Sequence, residues 1–227
     1  MKANNNRESK AMFRLERNRA LKIAAMALAV APLIVSPADA PAQHEEDVLA
    51  RGNLYYSSDD ITDKAATEYR KVKNSPKYRG TKTGGAAQYL YASYYHRKFY
   101  IVREKMQKED EEAIHKAQKE YGDYISDYRR AAPPEYLSDS YFNLALIWLE
   151  YGHRNEAVEQ LGNLRAAARQ DPTVYIYDVI WSPRSGDRVE GYYNAAQLAD
   201  VTQNLIGRGL STPEVVAGIR DWCRNHR

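Results

Sequence analysis

Two Glu-x-x-His pairs, Glu112/His115 and Glu150/His153, are the sharpest candidates for chemistry in this chain. On a helix that spacing aims a carboxylate and an imidazole at one point, as in di-iron helical bundles, and would make the chain a metal-dependent helical enzyme. Solvated helix faces explain the same letters: Gly152 puts His153 in a predicted turn, and Glu112 and His115 sit in a run of charges. No clear pair of inward-facing Glu completes a metal shell, so no metal, cofactor or catalytic residue is assigned. Lys82-Thr83-Gly84 matches a motif of penicillin-recognising serine enzymes, but no Ser-x-x-Lys supplies the nucleophile. The same Gly-rich segment lacks the Gly-Lys-Ser/Thr ending of a P-loop. Cys223 is the single cysteine, which excludes an internal disulfide and a Cys-based zinc site. As a lone helical thiol it reads as a small apolar filler, with reactivity or an intermolecular disulfide as the alternatives.

The elements that would position such groups begin after an address. Lys2, Arg7, Lys10, Arg14, Arg17, Arg19 and Lys22 precede the apolar run Ile23 to Val35, the order of a secretory signal. The run is broken by Pro32 and falls short of the roughly 20 residues a bilayer span requires. Cleavage is expected after Ala42, with Ala40 and retention as an anchor as the alternatives. Residues 1–42 carry 7 of the 33 Lys and Arg and 3 of the 30 Asp and Glu, so the net charge of +3 becomes −1 without them. That removes the electrostatic case for binding nucleic acid. No cysteine stands just after the apolar run to accept a lipid. The expectation is an exported bacterial protein, periplasmic or secreted, with no stable membrane span once the signal is removed.

From Glu45 onward, apolar residues recur at helical spacing between short Gly, Pro and Asp clusters. At least seven helices are predicted. The first two run from Glu46 to Tyr56 and from Asp63 to Lys73, separated by Ser57-Ser58-Asp59-Asp60 and closed by Asn74-Ser75-Pro76. A loop over Arg79 to Gly85 leads to a helix from Ala86 to Lys105. Another helix runs from Glu109 to Arg130 and is stopped by Ala132-Pro133-Pro134. Beyond Pro172, the Val, Ile and Tyr of Thr173 to Trp181 fit a buried helix or a short strand, with helix preferred. Ser182 to Asp187 is a loop, Val189 to Ile206 a helix ended by Gly207-Arg208-Gly209, and Ser211-Thr212-Pro213-Glu214 starts the last helix.

One segment has a more specific pattern. From Asp139 to Pro172 the chain places Tyr141, Leu144-Ala145, Trp148, Gly152 and Ala157 in order, followed by Leu161, Leu164 and Asp171-Pro172. Ala145 and Ala157 allow two antiparallel helices to approach closely, and Gly152 permits the turn between them. The segment resembles a tetratricopeptide repeat (TPR), whose large, small and turn residues fall at fixed offsets over roughly 34 residues. Weaker copies lie upstream, at Ala92 and Tyr95 and around Gly52, Tyr56, Ala65, Tyr69 and Val72. Their spacing departs from the standard repeat and predicts extended helices between Arg97 and Lys116. The run Tyr121-Gly122-Asp123-Tyr124-Ile125-Ser126-Asp127-Tyr128 before Pro133-Pro134 resembles repeats of envelope TPR proteins. Among them are the outer-membrane lipoprotein of β-barrel assembly and the coordinator associated with Tol-Pal.

That resemblance implies an all-α, antiparallel helix-hairpin array, a TPR-like right-handed α-solenoid with irregular, extended helices. Residues 1–42 are read as a signal peptide, 43–172 as the array and 173–227 as a C-terminal helical extension or cap. It further implies a non-catalytic scaffold or adaptor, in which the first helix of each pair lines a concave groove for a protein or peptide. The groove residues would be Tyr89, Ser93, His96, Arg97, Phe142, Leu146, Leu149 and Glu150. With 19 tyrosines, the chain is rich in a side chain that offers broad contact area and a hydroxyl. A structural subunit of an envelope complex is a further alternative.

Overall fold

The computed structural model describes residues 48–52, 62–128, 134–170, 175–176 and 193–226. The predicted signal, the turn at residues 57–60, the stop at 132–133, the Asp171-Pro172 pair and the loop at 182–187 lie outside those residues. Residues 48–52 are helical. They are followed by α1 (Lys64–Lys73), a 3-10 turn (Pro76–Tyr78), α2 (Lys82–Met106), α3 (Glu111–Tyr128), α4 (Pro134–Glu150) and α5 (Arg154–Gln170). A minimal antiparallel pair, β1 (Tyr175–Ile176) and β2 (Tyr193–Asn194), leads into α6 (Ala195–Gly207) and α7 (Thr212–Asn225). Each helix packs on the next along the chain, from α1 on α2 through α6 on α7. The fold is all-α, built of sequentially adjacent helix pairs.

Local chemistry explains most boundaries. The Thr81 hydroxyl accepts from the Gly84 N–H at 3.2 Å, so α2 starts at Lys82 and not at the predicted Ala86. The glycines that suggested a loop are needed for packing: a Cβ on Gly84 would stand 2.1 Å from the Tyr78 carbonyl oxygen, and one on Gly85 3.0 Å from the Tyr128 ring. Asp110 Oδ1 accepts from the Ala113 N–H at 3.0 Å and opens α3. Gly152, at φ +74, makes the α4–α5 turn in a conformation few other residues adopt readily. In α7, Ser211 and Glu214 form the reciprocal capping box.

Two predictions after Pro172 need correction. Tyr175 and Ile176 are a strand, paired with Asn194 and Tyr193, rather than part of a helix. Their aromatic and β-branched types suit extended backbone once a partner strand supplies hydrogen bonds. The helix expected from Val189 begins at Ala195, because Asn194 caps it by accepting from the Gln197 N–H at 3.1 Å.

Two apolar clusters share α4 as a common wall. On one side Leu144 and Ile147 join the tyrosine-rich cluster of α1, α2 and α3, where Tyr69, Tyr121 and Tyr124 are wholly buried. On the other, Phe142, Ala145, Leu146 and Leu149 face Ala157, Leu161 and Leu164 of α5, with Leu198 of α6 and Ile219 of α7. Small side chains let the axes approach: Ala92, Ala117, Ala145 and Ala157 are all fully covered. The Arg154 guanidinium donates to the carbonyls of Ile206 and Leu210, tying the end of α6 to the start of α5. Among the described residues, no helix is long and apolar enough to cross a membrane.

Candidate functional site

The eight residues expected to line a groove divide unequally. Tyr89, Ser93, His96, Phe142, Leu146 and Leu149 are buried, none more than 2 % exposed, so they lie inside the helix array and not on an open surface. Arg97 and Glu150 alone of the eight keep partial access to solvent. Their burial follows from the packing of α2, which contacts α1, α3 and α4. The residues expected to define the repeat are mostly interior. Ala92, Tyr95, Tyr141, Leu144, Ala145 and Ala157 are buried, Trp148 is half-buried and Gly152 lies in the exposed turn.

What α2, α3 and α4 enclose is a seam of polar side chains. The Tyr89 hydroxyl donates to Asp139 Oδ2 at 3.1 Å, and the hydroxyls of Ser93 and Tyr121 lie 3.2 Å apart. Glu120 accepts from Lys73 Nζ at 2.6 Å and from Gln88 Nε2 at 2.7 Å, a nearly buried triad that joins α1, α2 and α3. Glu150 accepts from the Tyr100 hydroxyl at 3.3 Å and from Arg103 at 3.2 Å. Burial first, and then the Glu150 charge, push the Tyr100 phenol well above its usual value, so it remains a donor.

His96 breaks the pattern. It is wholly buried beside the rings of Tyr100 and Tyr121, and neither ring nitrogen has a hydrogen-bond partner among the described residues. Burial alone pushes its imidazole down to about 3, so the ring is neutral at ordinary pH.

The Glu-x-x-His pairs are engaged elsewhere. Glu150 is held by Tyr100 and Arg103, while the His153 ring stands edge-on to Trp148 at 5.3 Å. Glu112 and His115 are exposed, with His115 stacked on Tyr151 at 5.2 Å. Among the described residues, no group of three His, Cys, Asp or Glu side chains is placed to hold a metal ion. Cys223 is fully buried among the apolar side chains of α4 to α7, as a filler would be.

A concave polar surface opens at the opposite corner of the tyrosine cluster. This cleft of about 390 Å³ is lined by Lys73 and Asn74 at the end of α1, Arg79 and Gly80 before α2, Gln88 on α2, and Asp123, Asp127 and Tyr128 on α3. Two of its lining residues, Lys73 and Gln88, both donate to Glu120. Gly84 and Gly85 seat α2 against Tyr78 and against Tyr128, and Tyr128 lines the cleft. Sequence reasoning missed this site. The one available signal was Asp123 and Asp127, four residues apart on one helix face, but the opposing basic residues come from a different part of the chain.

Comparison with protein-family models, with characterised proteins and with solved structures returns no match to this chain.

Proposed function

We propose that this chain is an exported, non-catalytic scaffold or adaptor of the TPR-like kind, a right-handed array of helix hairpins that holds a protein or extended peptide partner in cell-envelope assembly. The observation that supports the reading best is the α4–α5 hairpin. Ala145 and Ala157 are fully buried within one cluster, and Gly152 turns the chain at φ +74 between the two helices, as the repeat pattern requires. In this reading α6 and α7, which extend the Leu161 and Leu164 cluster, close the array at its C-terminal end.

With most of the expected groove buried, the partner surface moves to side chains that the array leaves open. Met106 at the end of α2 is 60 % exposed and Tyr151 in the α4–α5 turn is 36 % exposed. The Tyr151 ring stacks on His115 of α3 at 5.2 Å, so the turn is seated against α3. Exposed apolar side chains with charged neighbours are what a transient protein contact uses.

The test is crosslinking and affinity capture of the exported protein from intact cells, with the Met106→Ser/Tyr151→Ser double variant alongside. An envelope protein enriched with the parent chain and lost with a variant that unfolds at the same temperature supports the adaptor. No reproducible partner, or stoichiometric metal in protein purified without a metal-affinity tag, overturns it.

A further inference from the structure

The cleft between α1, α2 and α3 carries an inference that goes beyond the adaptor reading. Its charges are of both signs, and they are unequally satisfied. Lys73, one of its lining residues, is spent on Glu120, whose side chain is only 8 % exposed and also accepts from Gln88. On the α3 wall, Lys119 pairs with Asp123, and Asp127 lies within reach of its charge without an ion pair. That leaves Arg79 on the approach to α2 and Asp127 on α3, both exposed. Neither makes an ion pair among the described residues, although both line the same cleft. They are therefore too far apart to neutralise each other directly, and a ligand that carries both charges at its two ends can bridge them.

We propose that this cleft is a binding site for a short zwitterion, a free α-amino acid or a peptide of two or three residues. The ligand ammonium faces Asp127 and its carboxylate faces Arg79. The guanidinium is suited to a carboxylate because its forked N–H donors match the two oxygens. Asn74 is exposed at the cleft and presents an amide, one donor and one acceptor group for a peptide unit, whereas the Gln88 amide is already committed to Glu120. A volume of about 390 Å³ lies at the small end of the range for small-molecule sites, which restricts the ligand to this size. The site is also preformed. The close approach of α2 to Tyr128 at Gly85 holds one lining residue in place, and Lys73 and Gln88 are held by Glu120, so binding costs little ordering.

Isothermal titration of the full chain at low ionic strength tests this, using free alanine, alanyl-alanine, N-acetyl-alanyl-alanine and alanyl-alanine amide as probes. The blocked forms are expected to bind at least tenfold more weakly than the unblocked dipeptide. In Asp127→Asn the discrimination against the acetylated form should disappear, and in Arg79→Gln the discrimination against the amide. Both positions are exposed, and thermal unfolding checks that the variants fold. Binding of alanine alone supports the proposal with an amino acid as ligand, and binding of alanyl-alanine supports it with a peptide. Equal binding of blocked and unblocked forms, absence of binding by all four probes, or variants that discriminate like the parent would overturn it. Partner capture by Arg79→Gln and Asp127→Asn separates the two hypotheses. Intact capture without zwitterion binding removes only the cleft proposal, and zwitterion binding without any captured partner removes only the adaptor.

Discussion

Tyr89 and Asp139 are 50 residues apart in the chain and meet in its interior, the phenol donating to the carboxylate at 3.1 Å with both side chains essentially without solvent contact. The bond fastens α2 to α4 past the edge of α3, while the Tyr89 ring stacks on Tyr136 at 4.5 Å. Removing the donor of a buried hydrogen bond leaves its acceptor unsatisfied, which costs more than the bond's own net contribution. Tyr89→Phe keeps the ring and removes the donor. It is expected to lower stability by about 1 to 3 kcal/mol in urea unfolding, with the slope of the transition unchanged. Tyr89→Ala combined with Leu146→Glu, which on an open groove would only abolish binding, is expected to unfold the chain. A double variant that melts with the parent would put both residues back on a surface.

The unpartnered imidazole of His96 makes stability depend on pH. Its value in the folded chain is about 3 against 6.5 when free, because burial penalises the charged ring. A lowered histidine value means that the unfolded chain binds the extra proton. The contribution is therefore complete above about pH 6.5 and is lost progressively as pH falls from there towards 3. The slope from this group cannot exceed about 1.4 kcal/mol per pH unit. His96→Leu removes both the titration and two unsatisfied polar atoms. It is expected to raise stability at neutral pH by about 1 kcal/mol and to flatten the dependence between pH 6 and 4. Parallel pH profiles for parent and variant would mean that another group sets the acid limb.

The α4–α5 hairpin was legible because its signals are local. A Leu-small pair, a turn glycine and a second small residue are each interpretable without knowing what lies across from them. The α2 face was not, and the reason lies in its composition. Tyrosine serves as both core and rim residue, so Tyr89, Tyr91, Tyr94 and Tyr95 point around the whole helix without marking a solvent side, and all four are buried. The start of α2 was misread for a related reason. Gly84 and Gly85 read as a loop in isolation, whereas their lack of a Cβ is required by the Tyr78 carbonyl and the Tyr128 ring, which no local pattern specifies. The cleft stayed hidden because Arg79 and Asp127 are joined only by the packing of α2 on α3.

Those glycines allow a paired test. In a helix, alanine is favoured over glycine by about 1 kcal/mol, so Gly→Ala should stabilise wherever there is room. A Cβ at Gly122 on α3 meets nothing within 4 Å, and Gly122→Ala is expected to raise the melting temperature slightly. At Gly84 the same methyl would lie 2.1 Å from backbone oxygen, which cannot swing aside as a side chain can. Gly84→Ala is expected to destabilise despite the better propensity, and to weaken any ligand bound in the adjoining cleft. If both substitutions stabilise, α2 does not sit on the 3-10 turn as described.

Close helix approach at Ala145 is the physical content of the repeat resemblance, and it can be tested without a partner. Ala145 on α4 and Ala157 on α5 are both fully buried in one cluster with Leu161 and Leu164, so the space beside Ala145 is already filled. Ala145→Leu adds three carbons there and must push α5 away or force neighbouring side chains from their rotamers. The expected cost is about 1 to 3 kcal/mol in chemical unfolding. Val158→Ala, one residue from Ala157 but 38 % exposed, is the control for an apolar volume change on the open face of the same hairpin and should stay within about 0.5 kcal/mol of the parent. A tolerated leucine would show that the two helices are loosely apposed. The TPR-like reading would then lose the packing it depends on, whatever the chain is found to bind.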